Sequence, residues 1–334
     1  MLSDQEILAL AGQFLPEMSW DSAKVETITK GGSDRSYWRL RAVERSVIFM
    51  FYTDRRPDNF SFAPATRLLA AHGVSVPRIL AHDAEQRYLW SDDAGGKDLG
   101  DLKSSEWSQR RPLYEAALEE AAKIHRISPK ALTEEDRGHL QPEFDAALYQ
   151  WEQDYFFNHF TNVFLRVDQA SVDRVRRHPE LAAMVAELAS LPRVLVHRDF
   201  QSQNVIVREN PAPDEPRVML IDYQGLRAGR PEYDLASLLL DPYVDFAPDE
   251  RTALIDYYRS IRGGDDTWAW DRSLYAKCAA QRLMQALGAY GYLGKVLGKT
   301  EFLRHIPVAT SRLRGVLTSA AILPALSEIL ILES

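Results

Sequence analysis

The sequence predicts an α+β fold in two lobes, a small β-rich N-terminal lobe and a larger, mostly helical C-terminal one. Three observations carry that prediction. At 334 residues the chain is longer than one hydrophobic core usually serves. Residues 1–93 hold short apolar runs of strand character, separated by Gly, Ser and Asp. From residue 94 onward, long patterns of helical period dominate, and one β island interrupts them. The division is therefore drawn as 1–93 and 94–334, with a hinge over 90–96.

The elements follow in order. After a short opening helix, "KVETITK" reads as the first strand, and "YWRLRA" and "SVIFMFYT" as the next two. The loop "GGSDRS" separates the first two, its glycines supplying turn chemistry. "APATRLLAAHGV" has helical spacing and stops at Gly73. "PRILAHD" and "RYLWSDD" form a closing strand pair. Past "GGKDLGDL", helical patterns span 105–128, 141–162 and 168–190. The β island is "RVLVHRD", "NVIV" and "VMLIDY", with the polar, Pro-rich "RENPAPDEPR" as a surface turn between the last two. Helices resume at "DLASLLLD".

Bulk chemistry narrows the partners. A net charge of −8 and a pI near 5.6 argue against a nucleic-acid partner, which needs a basic footprint. The single cysteine, Cys278, allows no internal disulfide and sits in an Ala-rich helical stretch, as core residues do. The N-terminus lacks a basic, then apolar, leader pattern, and Pro324 and Glu328 break the apolar tail. The expectation is a cytoplasmic protein without a membrane partner.

The chemistry lies in "HRDFQSQN", residues 197–204. Asp and Asn are poor strand and helix formers, so placing them five apart at the mouth of an apolar run asks for a reason. The pattern H-R-D-x-x-x-x-N is that of a phosphoryl-transfer loop, in which the Asp accepts the substrate hydroxyl proton and the Asn holds magnesium. "VMLIDYQG" then supplies Asp222 at a strand end that the polar turn returns beside Asn204. Hard cations take oxygen ligands. Asp199 is thus the candidate catalytic residue, and Asn204 and Asp222 the candidate magnesium ligands.

With these motifs the chain resembles the aminoglycoside phosphotransferase and choline kinase family, over nearly its whole length. That resemblance implies a protein-kinase-like bilobal fold, ATP and Mg²⁺ as cofactors, and a small-molecule hydroxyl acceptor. It places "GGSDRSYWRL" as the nucleotide-phosphate loop, with Gly31, Gly32, Ser33, Asp34, Arg35 and Ser36 as nucleotide contacts. "YLWSDDAGG" is similar to the adenine-binding hinge, read through backbone groups of Trp90, Ser91 and Asp92. Asp234, in "GRPEYDLASLLLDPY", is implied to brace the catalytic loop, a structural role shared with His197. One departure stands out. Such kinases carry a phosphate-binding Lys on the third strand and a Glu on the next helix, whereas Met50 occupies the Lys position here and "APATRLLAAHGV" has no Glu. Lys30, Arg35 and Arg39 are candidate replacements. A nucleotide-binding pseudokinase without catalysis is the alternative this leaves open.

Other motifs carry less. "GKT" at 298–300 lacks the P-loop glycine, since Leu293 stands in its place. His125 reads as a hydrogen-bonded packing residue, and the eight histidines show no zinc-ligand spacing.

For the acceptor, two helices resemble those of bacterial cell-wall sugar kinases, which phosphorylate the anomeric hydroxyl of N-acetylmuramate and N-acetylglucosamine. They are "FDAALYQWEQDYFFNHF", with Glu152 and Asp154, and "AAQRLMQALGAYGYL", with Gln281 and Arg282. Gln281, Gln285 and Gly288 share one helical face, and Arg282 suits a carboxylate or phosphate. Glu152, Gln224, Gln281 and Arg282 are the expected substrate contacts. Aminoglycoside, choline or other small-alcohol phosphotransfer remains the alternative.

Overall fold

The computed structural model describes residues 2–29, 35–43, 45–165, 167–263 and 268–330. Helix α1 (Asp4–Phe14) is started by a capping box between Ser3 and Glu6. It lies on a five-stranded antiparallel sheet of β1 (Lys24–Ile28), β2 (Ser36–Arg41), β3 (Ser46–Phe51), β4 (Ile79–Asp83) and β5 (Tyr88–Asp92), in the order β1-β2-β3-β5-β4. The two-residue alternation of strands sorts the side chains. Trp38, Leu40, Val47, Phe49 and Trp90 pack with Ile7 and Ala11 of α1. Met50 and Leu89 face the other way, toward Ala63 of α2 (Phe62–Ala71).

Beyond the sheet, β6 (Lys97–Asp98), β8 (Val205–Val207) and β9 (Val218–Leu220) form a small antiparallel sheet, while β7 (Val194–Val196) pairs with β10 (Arg227–Gly229). These short strands set the loop 197–204 on helices α3 (Trp107–His125), α4 (Ala146–Phe156), α5 (Gln169–Arg176), α6 (Pro179–Ser190), α7 (Pro231–Leu239), α8 (Pro248–Arg262), α9 (Arg272–Gly291) and α10 (Ile306–Ala320). One core gathers around α9, with Cys278 fully buried in it as its Ala-rich setting suggested. A second joins α3, α7 and α8 to Leu68 and Leu69 of α2, so that helix packs against the helical part of the molecule.

The helical pattern over 168–190 resolves into two helices, α5 and α6. Pro179 has no N–H to continue the first, and it pushes His178 into extended backbone (ψ 132°). Asp145 caps the start of α4 by accepting from the Leu148 N–H, which starts that helix later than the periodicity suggested. Among the described residues, no helix is long and apolar enough to cross a membrane.

Candidate active site

Strand β7 delivers the loop His197–Asn204, and buried carboxylates fix its backbone. Asp234, near the start of α7, accepts from the backbone N–H of His197 at 2.7 Å and of Arg198 at 2.8 Å. His125 Nε2 lies 3.1 Å from the same carboxylate, and its Nδ1 lies 2.7 Å from the Tyr258 hydroxyl. That makes His125 a packing residue with two partners. Asp241, just past α7, accepts from the Ser202 N–H at 2.7 Å. These contacts hold Arg198 in the left-handed region (φ 77°), a strained position for a residue with a side chain. His197 Nε2 is 3.0 Å from the Ile221 carbonyl, and the Ile221 N–H donates to the Asn204 carbonyl at 2.9 Å. Two bridges thus bring the end of β9, and Asp222 with it, beside the loop.

The Asp199 carboxylate sits between two arginines. Arg198 Nη1 donates to it at 2.6 Å, and Arg282 Nη2 lies 3.8 Å from its other oxygen. Burial pushes the acid's pKa up, but the two guanidiniums outweigh burial and bring it to about 2. The carboxylate is therefore ionised throughout the neutral range. Arg282 is held in turn by the hydroxyl of Ser237 at 3.0 Å and by Gln285. Arg227 completes the cluster, and burial together with the like charge of Arg198 lowers its pKa.

Asn204 and Asp222 fit a hard cation. The Asn204 amide nitrogen donates to the Asp199 backbone carbonyl at 2.8 Å, which leaves its oxygen to serve a cation. Asp222 occupies the left-handed region (φ 63°) at the strand end, and its side chain is 41% exposed. Gln224 donates to it at 2.9 Å and Arg35 at 3.3 Å. Among the described residues, no cluster of three His, Cys, Asp or Glu side chains could form a metal cage. Magnesium in such sites takes one or two protein oxygens and completes its shell with phosphate and water, so two ligands suffice.

The other expected residues fall as follows. Gly31, Gly32, Ser33 and Asp34, with Lys30, lie outside the described residues. Arg35 and Ser36 lead into β2. Trp90, Ser91 and Asp92, expected to read the adenine through their backbone groups, lie in the sheet. They end a strand paired on both sides, the Asp92 N–H donates to the Arg78 carbonyl, and the Trp90 ring stacks on Phe49 against α1. The residues that leave the sheet are 93–96. Arg39 grips this segment with two bonds to Asp93, at 2.7 and 3.1 Å, and one to the Gly95 carbonyl at 2.7 Å.

Glu152 and Gln281, expected as substrate contacts, lie inside the helix packing. Both have no exposed surface, because α4 and α9 pack over them. Glu152 accepts from Tyr233 at 2.9 Å and from Gln281 at 3.1 Å, and burial raises its pKa although Arg198 opposes the shift. Asp154 is turned away to Arg176. Gln224 contacts Asp222 and is placed with the metal candidates. Sequence reasoning missed Asp241, Arg227 and the side-chain role of Arg198. The Arg next to Asp199 was a visible signal for the last of these.

Residues 24–274 match the sequence profile described as the phosphotransferase enzyme family, which spans well over half of the chain. The chain belongs to that family. An N-acetylmuramate/N-acetylglucosamine kinase of Pseudomonas aeruginosa is 26% identical over 310 residues, covering 88% of this chain and 86% of the relative. One of the same description from Caulobacter vibrioides is 25% identical, covering 92% and 91%. In fold, the chain is similar to the crystal structure of a choline/ethanolamine kinase family protein from Mesorhizobium loti, with a TM-score of 0.64 at 16% identity, covering 97% of this chain and 99% of that one. The fold is the bilobal α+β kind expected, and the enzyme is a small-molecule phosphotransferase, so the non-catalytic alternative gives way.

Proposed function

We propose that this phosphotransferase moves the γ-phosphoryl group of ATP to the anomeric hydroxyl of an N-acetylated amino sugar, with magnesium. In this reading residues 1–93 hold the nucleotide, and 94–334 hold the catalytic loop and the acceptor. The observation that carries the choice of acceptor is the charge around Asp199. Arg198, Arg227 and Arg282 stand near it, while Glu152 is the neighbouring carboxylate and is itself buried under helix packing. A polycationic aminoglycoside or a choline would be repelled by three guanidiniums. A neutral sugar suits them, as does a sugar bearing a carboxylate. The names of the relatives point to the same class of acceptor.

Asp199 would orient the acceptor hydroxyl and receive its proton as the new P–O bond forms and the bond to ADP breaks. A carboxylate with a pKa of about 2 is a weak base. That suffices here for two reasons: the anomeric hydroxyl is more acidic than an ordinary alcohol, and the transition state is loose, so positioning outweighs proton abstraction. Asn204 and Asp222 would hold magnesium, which supplies charge neutralisation on the phosphates. Glu152 and Gln281 act from behind: they lock α4 to α9, and α9 carries Arg282. The test is ADP release with a panel of N-acetylglucosamine, N-acetylmuramate, kanamycin, choline and homoserine. Turnover confined to the amino sugars supports the reading, and preference for kanamycin or choline overturns it.

A further inference from the structure

The strand that should carry a phosphate-binding lysine has Met50, which is buried among Tyr52, Ala63 and Leu89 and holds no charge. Another cation has to face the phosphates. Of the two described candidates, Arg39 is committed to Asp93 and the Gly95 carbonyl at the hinge.

Arg35 is built differently. Its Nε donates to Asn59 Oδ1 at 2.7 Å, and its Nη2 lies 3.6 Å from Asp58. Both partners stand in the turn Pro57–Ser61, just before α2, the helix from which the usual Glu would reach its Lys. Nη1 turns the other way, 3.3 Å from the Tyr37 hydroxyl and 3.3 Å from Asp222 Oδ1. Tyr37 pairs directly with Met50 across β2 and β3, so Arg35 bonds a residue on the face that Met50 occupies. The Arg35 side chain is 1% exposed, and burying a guanidinium is costly unless it serves partners on each side.

We infer that Arg35, just before β2, is the phosphate-clamping cation of this enzyme, standing in for the strand lysine. Asn59 and Asp58 hold the guanidinium plane, and Nη1 faces Asp222, which would hold the metal that neutralises the nucleotide phosphates. A planar, permanently charged fork suits phosphate oxygens. This inference rests on the reading that the protein binds a nucleotide, and its test separates the two.

Isothermal titration of the full-length protein with Mg-ADP, and separately with adenosine, provides that test. It uses the parent, Arg35→Gln and Arg35→Lys, with the apo melting temperature of each recorded. The expected result is that Arg35→Gln weakens Mg-ADP at least tenfold, the scale of a hydrogen bond to a charged group, while adenosine stays within about threefold. Arg35→Lys should recover part of the Mg-ADP loss. A structural tie alone would weaken both ligands together, and that result overturns the inference, as does unchanged Mg-ADP affinity in Arg35→Gln. If the parent binds neither ligand, the nucleotide reading falls, and the inference with it.

Discussion

Replacing a catalytic carboxylate often stabilises an enzyme, because active sites hold like charges and unpaired groups. Asp199→Asn should do the opposite here. Its carboxylate lies 2.6 Å from Arg198 and 3.8 Å from Arg282, and the field of those two holds its pKa at about 2 against an ordinary 3.8. At 1.36 kcal/mol per pKa unit, that shift corresponds to about 2 kcal/mol of stability in the ionised form. Asparagine keeps the shape and loses the charge, so the variant should lose about 2 kcal/mol at pH 7. The sign sets the pH window. A depressed acid contributes fully above its unfolded value and less as pH falls through the folded one, so the difference between parent and variant should persist at neutral pH and shrink from about pH 4 toward 2. Turnover should fall by roughly 10²–10⁴, with Mg-ATP affinity held within a few-fold, because in the proposed reading this group acts on the acceptor. Urea unfolding at pH 7 and at pH 3, beside ADP release, measures both effects. A variant as stable as the parent at pH 7 would refute the arginine sandwich, and full turnover would remove Asp199 from the chemistry.

Four other perturbations probe neighbouring parts of the account. Asp222→Ala should abolish the strengthening of ATP binding by magnesium, measured by titrating ATP with and without the metal; intact strengthening would reassign the ligand. Asp234→Ala leaves the buried N–H groups of His197 and Arg198 without their acceptor and should cost roughly 3–5 kcal/mol in urea unfolding, whereas a loss below about 1 kcal/mol would mean the loop is braced elsewhere. Gly291→Ala would place a Cβ 2.0 Å from the His159 carbonyl oxygen, a backbone atom that cannot swing aside, and should lower stability by roughly 1–3 kcal/mol. Gly315→Ala, in α10 with nothing within 4 Å, should instead leave the melting temperature unchanged or raise it.

What the sequence made legible was local. "HRDFQSQN" and "LIDYQG" put Asp199, Asn204 and Asp222 at strand ends because polar residues after apolar runs can only be turns, and the structure has those turns. The alternation in "YWRLRA" and "SVIFMFYT" marked β2 and β3 because one sheet face packs on α1 and the other on α2. What was not legible has one physical origin, which is that exposure is a tertiary property. Glu152 and Gln281 were expected as ligand contacts from the resemblance of their helices, which could not show that packing of α4 on α9 buries both and pairs them with each other. The resemblance of "YLWSDDAGG" to an adenine-binding hinge did not show that β3 and β4 pair with the strand of Trp90 on both sides. Pro179 was visible within the 168–190 pattern, and its missing N–H outweighed the helical period.

The central claim is phosphoryl transfer to the C1 hydroxyl of an amino sugar, and ³¹P NMR of the product tests it most directly. With ATP, magnesium and N-acetylglucosamine or N-acetylmuramate, the account predicts a new phosphomonoester resonance coupled to the anomeric proton, labile to mild acid. The 1-O-methyl glycoside and the reduced sugar alcohol should give no such resonance, since each lacks the reacting group. Equal phosphorylation of the methyl glycoside, or a phosphate coupled to a proton other than the anomeric one, would contradict the account.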